Sequence, residues 1–275
     1  MKQEITIAAN KVDCIYGGKS SKELQSYKCA TQVKPNSSAS ARLKMTFVFV
    51  LITGLVAHSF AQTFVTIPVE TEKNVLLLQT DKDNRLGVIY FGKRLNNSNE
   101  YASVPNQYNL KDDNAGIYNS AYTSAGTWDL VEPAIQVTHG DGNTSLELKY
   151  VSSEVKKIDA NVSLVSISLK DPVYPTEVTL YYKTYFKENV VEQWSVIKNG
   201  EKKPLKLEKY ASANLYFMGS NYYLTHYNGG WGREMNPEEE QLTHGIKSID
   251  SKLGTRANLF EPPTFMVSFD KPATE

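Results

Sequence analysis

Acidic side chains are the first place to look for chemistry in this sequence, because paired carboxyl groups can share general acid and base work. They gather in three places. Asp81 and Asp83 flank a lysine in a turn-like segment, and Asp112-Asp113 sits in a polar stretch. Glu238-Glu239-Glu240 follows Asn236-Pro237, which reads as a turn. Each cluster reads as solvated surface rather than a reacting pair. Beyond residue 62 the histidines are His139, His226 and His244. No two of them stand four apart, and no thiolate is there to complete a zinc site, so no metal is expected. A GxSxG elbow and a phosphate-binding loop are also missing, which leaves serine hydrolysis and nucleotide chemistry without support.

Aromatic and arginine side chains beside glycines are the better signal. In Gly229-Gly230-Trp231-Gly232-Arg233-Glu234, three glycines leave the indole unobstructed, and the arginine offers a fork of hydrogen-bond donors. An indole face can stack on the C–H surface of a sugar while Arg and Glu reach its hydroxyls. The plainer reading makes the glycines a bulge or bend, with Trp231 packed between sheets. Trp128-Asp129 faces the same choice, whereas Trp194, inside an alternating strand, reads as core. Trp231, Arg233 and Asp129 are therefore the candidate sugar-contacting residues, and no residue is assigned a catalytic role.

The elements that must position these residues are strands. Ser163–Lys170 and Thr176–Tyr182 alternate polar and apolar residues, the period of a half-buried strand. Further strands are expected at Phe64–Val69, Val75–Thr80, Leu86–Phe91, Ser145–Val151, Val190–Ile197, Leu205–Phe217 and Thr264–Phe269. Turn signals separate them, at Gly140-Asp141-Gly142-Asn143, Asp171-Pro172 and Lys198-Asn199-Gly200. The segment from Leu95 to Gly126 lacks alternation and reads as a long surface loop. No long window carries a helical period. Many short strands spaced by turns predict an all-β antiparallel sandwich.

Composition agrees and excludes one class of partner. Aromatics make up 11% of the chain, with 17 tyrosines, which suits pleated sheets. Thirty basic and thirty acidic residues cancel, so the charge excess of a nucleic-acid binder is missing.

The N-terminal sixty residues have a different character. Residues 1–44 are polar and patternless and hold both cysteines, Cys14 and Cys29. They are expected to be a disordered extension, or an over-extended reading frame whose true start lies near Met45. Arg42 and Lys44 precede an apolar run from Met45 to Ala57, and Ser59-Phe60-Ala61 forms a small-x-small cleavage site. Residues 45–61 thus read as a secretory signal peptide, with a membrane-retained anchor as the competing view. The run is shorter than the ~20 residues of a spanning helix. Cleavage after Ala61 would leave a cysteine-free exported chain, residues 62–275, stabilised by its core.

Ordered motifs from Tyr118 to Asp270 resemble the N-terminal β-sandwich domain of family 36 glycoside hydrolases, the α-galactosidases. Gly126-Thr127-Trp128-Asp129-Leu130-Val131-Glu132-Pro133-Ala134 is similar to the family's GTxDFRxPA segment, and Leu146-Leu148-Tyr150-Val151 to its LxLxYV strand. Glu177–Tyr182 is similar to EVTLYY, Trp231-Gly232-Arg233-Glu234 to WxRE, Leu242–Ile249 to LTPGxxSI, and Ser251–Gly254 to SxxG. The resemblance implies a β-supersandwich that packs on a (β/α)₈ barrel holding both catalytic aspartates. It implies a retaining hydrolase of terminal α-galactosides, without organic cofactor or metal, that forms a homo-oligomer. With the sequence stopping at Glu275, the barrel is expected to be missing and the chain alone inactive. A stand-alone carbohydrate-binding module is the alternative. Two departures stand out. Val131 occupies the arginine position of GTxDFRxPA and cannot donate a hydrogen bond. Arg256–Glu261 replaces the family's SHQHNP.

Overall fold

A computed structural model of the chain describes residues 64–105, 119–127, 129, 131–217, 220–250 and 260–273. The expected extension and signal peptide lie outside the described residues. The described part is nearly all β, with twelve strands: β1 Thr66–Glu70, β2 Asn74–Thr80, β3 Leu86–Lys93, β4 Ile135–Thr138, β5 Lys149–Lys157 and β6 Val162–Lys170. There follow β7 Thr176–Tyr185, β8 Val190–Asn199, β9 Lys206–Tyr210, β10 Tyr222–Gly230, β11 Arg233–Gln241 and β12 Phe265–Phe269. They form four sheets, ordered β1-β2-β3, β4-β9, β5-β6-β7-β8 and β11-β10-β12, and every pairing is antiparallel.

The alternation in β6 and β7 does what its period dictates. Val165, Ile167 and Leu169 stand opposite Tyr182, Leu180 and Val178, and all six are buried on one face. They pack with Ile67, Val69, Leu76 and Leu78 from the β1–β3 sheet and Ile135 and Val137 from β4. Antiparallel sheets sharing a core in this way are the arrangement of a β-sandwich. Strand β2 is buried along six consecutive residues because its second face meets another cluster. Val75, Leu77 and Ile89 pack there with Tyr101. The Tyr101 hydroxyl donates to Glu70, which also faces Arg94 at 3.3 Å.

The segment expected to be a surface loop is partly structural. Ser98–Ser103 winds into a 3₁₀ helix capped by Asn97, and Asn119, Ala121, Tyr122, Thr123 and Ser124 are buried. The Tyr122 hydroxyl donates to the Ala211 carbonyl at 2.7 Å. Its low hydrophobicity hid this role, because backbone bonding rather than apolar alternation seats it: Val88 N–H donates to the Asn119 carbonyl and Ala121 N–H to that of Leu86.

Trp194 is not core. It lies half-buried on the outer face of β8, opposite Tyr181, with ring centroids 5.1 Å apart and 10° between planes. The alternation expected of β8 holds, but Trp194 stands on its outer face rather than in the core. Gln193 and Ser195, its neighbours, take the inner positions opposite Tyr182 and Leu180. The expected strand at Leu205–Phe217 shrinks to β9, and that at Ser145–Val151 shifts to β5, leaving Leu146 and Leu148 buried just before it.

Leu180 is fully buried at the centre of the shared core. Truncating it removes transfer energy and leaves a cavity, so Leu180→Ala should cost about 2–5 kcal/mol in a urea unfolding series. A loss below about 0.5 kcal/mol, the range of surface changes, would contradict this core.

Candidate functional site

The Trp-Gly-Arg motif forms the tip of a hairpin. Gly230 pairs with Arg233, leaving Trp231 and Gly232 as a two-residue connection between β10 and β11. Gly232 sits at φ 75°, a left-handed conformation that favours glycine. Gly229 is needed for a different reason: a Cβ there would lie 2.2 Å from the Arg233 carbonyl oxygen. The glycines make a bend, and the register also shifts between Asn228 and Gly230. Trp231 does not pack between sheets; it is 93% exposed. Glu234 turns back to accept from the Gly232 N–H at 2.9 Å, so the hairpin's own bonding leaves the indole out.

The chain beyond the tip differs from expectation in one respect. Asn236-Pro237 is no turn but lies within β11, and Glu238–Glu240 continues that strand. Proline is tolerated because β11 is an edge strand, where its missing N–H breaks no ladder. Glu238 accepts from Asn228, Glu239 from Thr225 at 2.9 Å, and Glu240 faces Lys247. These carboxylates hold the hairpin rather than face one another across a cleft.

Asp129 lies elsewhere, at a recess lined by Asp81, Arg85, Asn119, Tyr122, Thr127 and Glu147, among others. Its N–H donates to Thr127 Oγ1 at 3.3 Å. Arg85 Nη2 is 3.6 Å from Glu147 Oε1, and Asp81 Oδ1 accepts from the N–H groups of Asp83 and Arg85, both at 2.8 Å. None of the residues lining this recess comes from β10 or β11. The three sequence candidates thus divide between the hairpin tip and this recess. Trp128 lies outside the described residues.

A third constellation was missed by spacing arguments. His139 is buried at the end of β4, with Nδ1 2.7 Å from Glu201 Oε1 and Nε2 donating to the Ser145 carbonyl at 3.0 Å. Its ring stacks on Tyr174, centroids 3.6 Å apart. The Tyr174 hydroxyl donates to Asp141 Oδ2 at 2.8 Å, and the Gly140 N–H donates to Glu201 Oε2 at 3.2 Å. Three turns, those after β4, β6 and β8, are clasped at one point. Residues 62 apart in sequence supply its central pair, so no local motif marks it. The His139 hydrogen bond, then the Gly140 N–H, hold the Glu201 carboxyl below the usual glutamate range, against desolvation. Asp141 is likewise lowered, first by the Asn143 N–H and then by Tyr174. With the His139 ring buried and both its nitrogens bonded to the protein, the cluster is a structural clasp.

The family model described as glycosyl hydrolase family 36 N-terminal domain matches residues 84–275. The chain belongs to that family. It is 28% identical over 155 residues to alpha-galactosidase AgaA of Geobacillus stearothermophilus, covering 51% of this chain and 21% of that protein. It is 25% identical over 218 residues to alpha-galactosidase Mel36A of Lactobacillus acidophilus, covering 70% and 30% respectively. The chain therefore spans less than a third of the length of these two family 36 relatives. Among solved structures, the alpha-galactosidase from Lactobacillus brevis superposes with a TM-score of 0.63 at 23% identity, over 75% of this chain and 31% of that one. A variant of AgaA solved with raffinose gives 0.65 at 23%, over 73% and 31%. At these identities the structural likeness supports the fold. Within that family 36 frame, the EVTLYY motif is the centre of β7, and WxRE is the hairpin tip.

The clasp carries a pH dependence whose sign follows from Glu201. A carboxyl with a depressed folded pKa contributes stability that is present above its unfolded value, about 4.3. That stability is lost as pH falls through the lower folded value. Glu201→Gln should therefore lower Tm at neutral pH, and the gap to the parent protein should close as pH drops below about 4. A gap that stays constant on acidification would show that the carboxylate charge is not what the clasp uses.

Proposed function

We propose that this chain serves as the non-catalytic N-terminal domain of an exported α-galactosidase, a sandwich that supports a (β/α)₈ barrel and the enzyme's oligomer. The barrel would remove terminal α-galactose from oligosaccharides. One observation carries this reading: the family match runs over residues 84–275, and the relatives it brings are α-galactosidases. Two of the family's solved structures were obtained with raffinose and stachyose, which gives the substrate class its chemistry. The C-terminal sheet lends physical support. Trp231, Met235, Phe260, Ile246 and Phe269 are all exposed on or beside β10–β12. Trp231, Met235 and Phe260 gather at the Gly229–Gly232 end of this sheet and Phe269 at its other end, and exposed apolar side chains in such number suit a surface that is covered. Export rests on the basic residues, apolar run and small-x-small site between Arg42 and Ala61.

A second reading, a stand-alone carbohydrate-binding module, is favoured by the bare indole of Trp231 beside Arg233. The two separate in one set of measurements on the purified chain. As a barrel support it should bind a hydrophobic dye, release no galactose from raffinose, and show no saturable change in tryptophan fluorescence with raffinose. Saturable binding that disappears in Trp231→Ala, without dye binding, would overturn the first reading in favour of the second. Reading the coding DNA past the codon for Glu275 tests the barrel directly: an in-frame segment with two catalytic aspartates is expected.

Export has its own check. Protein recovered from outside the cytoplasm should begin at Gln62 on N-terminal sequencing. A chain that retains residues 45–61 would instead point to an anchor.

A further inference from the structure

We propose that β8 is a self-recognition edge: two copies of the chain pair their β8 strands antiparallel about a two-fold axis at Ser195, joining two four-stranded sheets into one of eight. The inference rests on the proposed function's assignment of an oligomer-supporting role to the sandwich and names the surface that would carry it; the charge exchanges below test that surface separately from the barrel reading.

Strand β8 is the outermost strand of its sheet. It pairs with β7 in an unbroken register from Val190 to Asn199. Among the described residues, no strand or backbone group bonds to its other edge. A long, regular, unpaired edge is a template for another strand, and proteins usually blunt such edges with lysines or bulges. The opposite edge of the same sheet is blunted in both ways. Strand β5 carries Lys149, Lys156 and Lys157, and its register shifts between Tyr150 and Ser152. Strand β8 has no bulge and exposes Val190, Val191 and Val196. Strand β5 also exposes Val151 and Val155 and β8 also carries Lys198, so the difference between the two edges is the shifted register of β5 against the unbroken one of β8.

Charge then selects a second copy as the occupant. Glu192, Trp194, Val196 and Lys198 share the outer face of β8, opposite Lys183, Tyr181, Thr179 and Glu177. In an antiparallel self-pairing, directly opposed residues lie on the same face. A two-fold at Ser195 sets Glu192 opposite Lys198 of the second copy and Trp194 opposite its Val196, each twice by symmetry. Within one chain Lys183 already lies 4.0 Å from Glu192, and Lys198 lies 3.3 Å from Glu177. Pairing therefore extends both into a four-charge row of alternating sign across the seam. Moving the axis to Trp194 would set Glu192 against Val196 and Lys198 against Val190, so the register is specified by the sequence. The inner face offers no conflict, since Gln193 meets Ile197 and Ser195 meets itself.

The test is charge exchange in the full chain, read by sedimentation from about 1 to 100 µM. The parent protein should self-associate. Glu192→Lys and Lys198→Glu should each weaken association about tenfold or more, because each sets like charges face to face. The double exchange should restore it. Restoration is diagnostic, because both intrachain pairs, with Lys183 and Glu177, remain reversed in the double variant and only the pair between copies is repaired. A parent that stays monomeric throughout, or an oligomer indifferent to both single exchanges, would overturn the proposal. If the variants fail to fold, amide hydrogen exchange on the parent decides: β8 amides should gain protection with protein concentration, and unchanged protection would refute the pairing.

Discussion

Everything in this domain depends on one face of the β5–β8 sheet being buried. Strand register has a period of two, so burying Val178, Leu180 and Tyr182 forces Thr179, Tyr181 and Lys183 outward. That single constraint places the core against the β1–β3 sheet and turns Trp194 to the outside. The strand order, not the buried face, sets β8 at the edge of the sheet. Each fully buried aliphatic side chain contributes about 1.5–3 kcal/mol of transfer energy. A one-residue slip would forfeit the whole set at once. The face is therefore fixed far more firmly than the loops that join it.

The polar interactions finish what the core begins. Turns emerging from β4, β6 and β8 must end together, and a buried imidazole bonded to a carboxylate does this with direction that apolar packing lacks. His139 reaches Glu201 on one side and the Ser145 carbonyl on the other, with Tyr174 closing over its ring. At the opposite extreme, the tip of the β10–β11 hairpin closes on its own bonds, while β10 behind it pairs with β12. Because Glu234 and the glycines satisfy the turn locally, Trp231 is spared any structural duty.

Where residues follow a local period, the fold was legible. Ser163–Lys170 and Thr176–Tyr182 alternate, and β6 and β7 formed where the alternation lies. The family was legible too, because its motifs keep their order from Gly126 to Gly254. Legibility failed where distant residues decide the outcome. Alternation cannot say which side of a sheet is inside, so Trp194 was assigned to the core. The turn signal at Asn236-Pro237 was overridden because an edge strand can absorb a proline. Asn119 and Ala121 are seated by backbone bonds to β3, a pairing invisible in a window of polar residues. Of the candidate site residues, exposure at Trp231 was one of two readings. The separation of Asp129 from the hairpin had no signal at all.

The uneven burial of the sheets bears on what this domain is for. In the β10–β12 sheet Leu224 and Thr225 are buried, with Leu242 just beyond β11, while Met235, Met266 and Phe269 stay exposed. A three-stranded sheet with so little of its apolar surface covered gains less from folding than the β5–β8 sheet, yet it pays the same backbone entropy per residue. Such a sheet is held chiefly by its ladder bonds and by carboxylate ties such as Glu239 to Thr225. Under the proposed function, the barrel is the partner that would cover this apolar surface. At its tip the hairpin can hold tryptophan out in solvent because Glu234 and the glycines close the turn without it, while β12 and Phe260 secure the strand behind it.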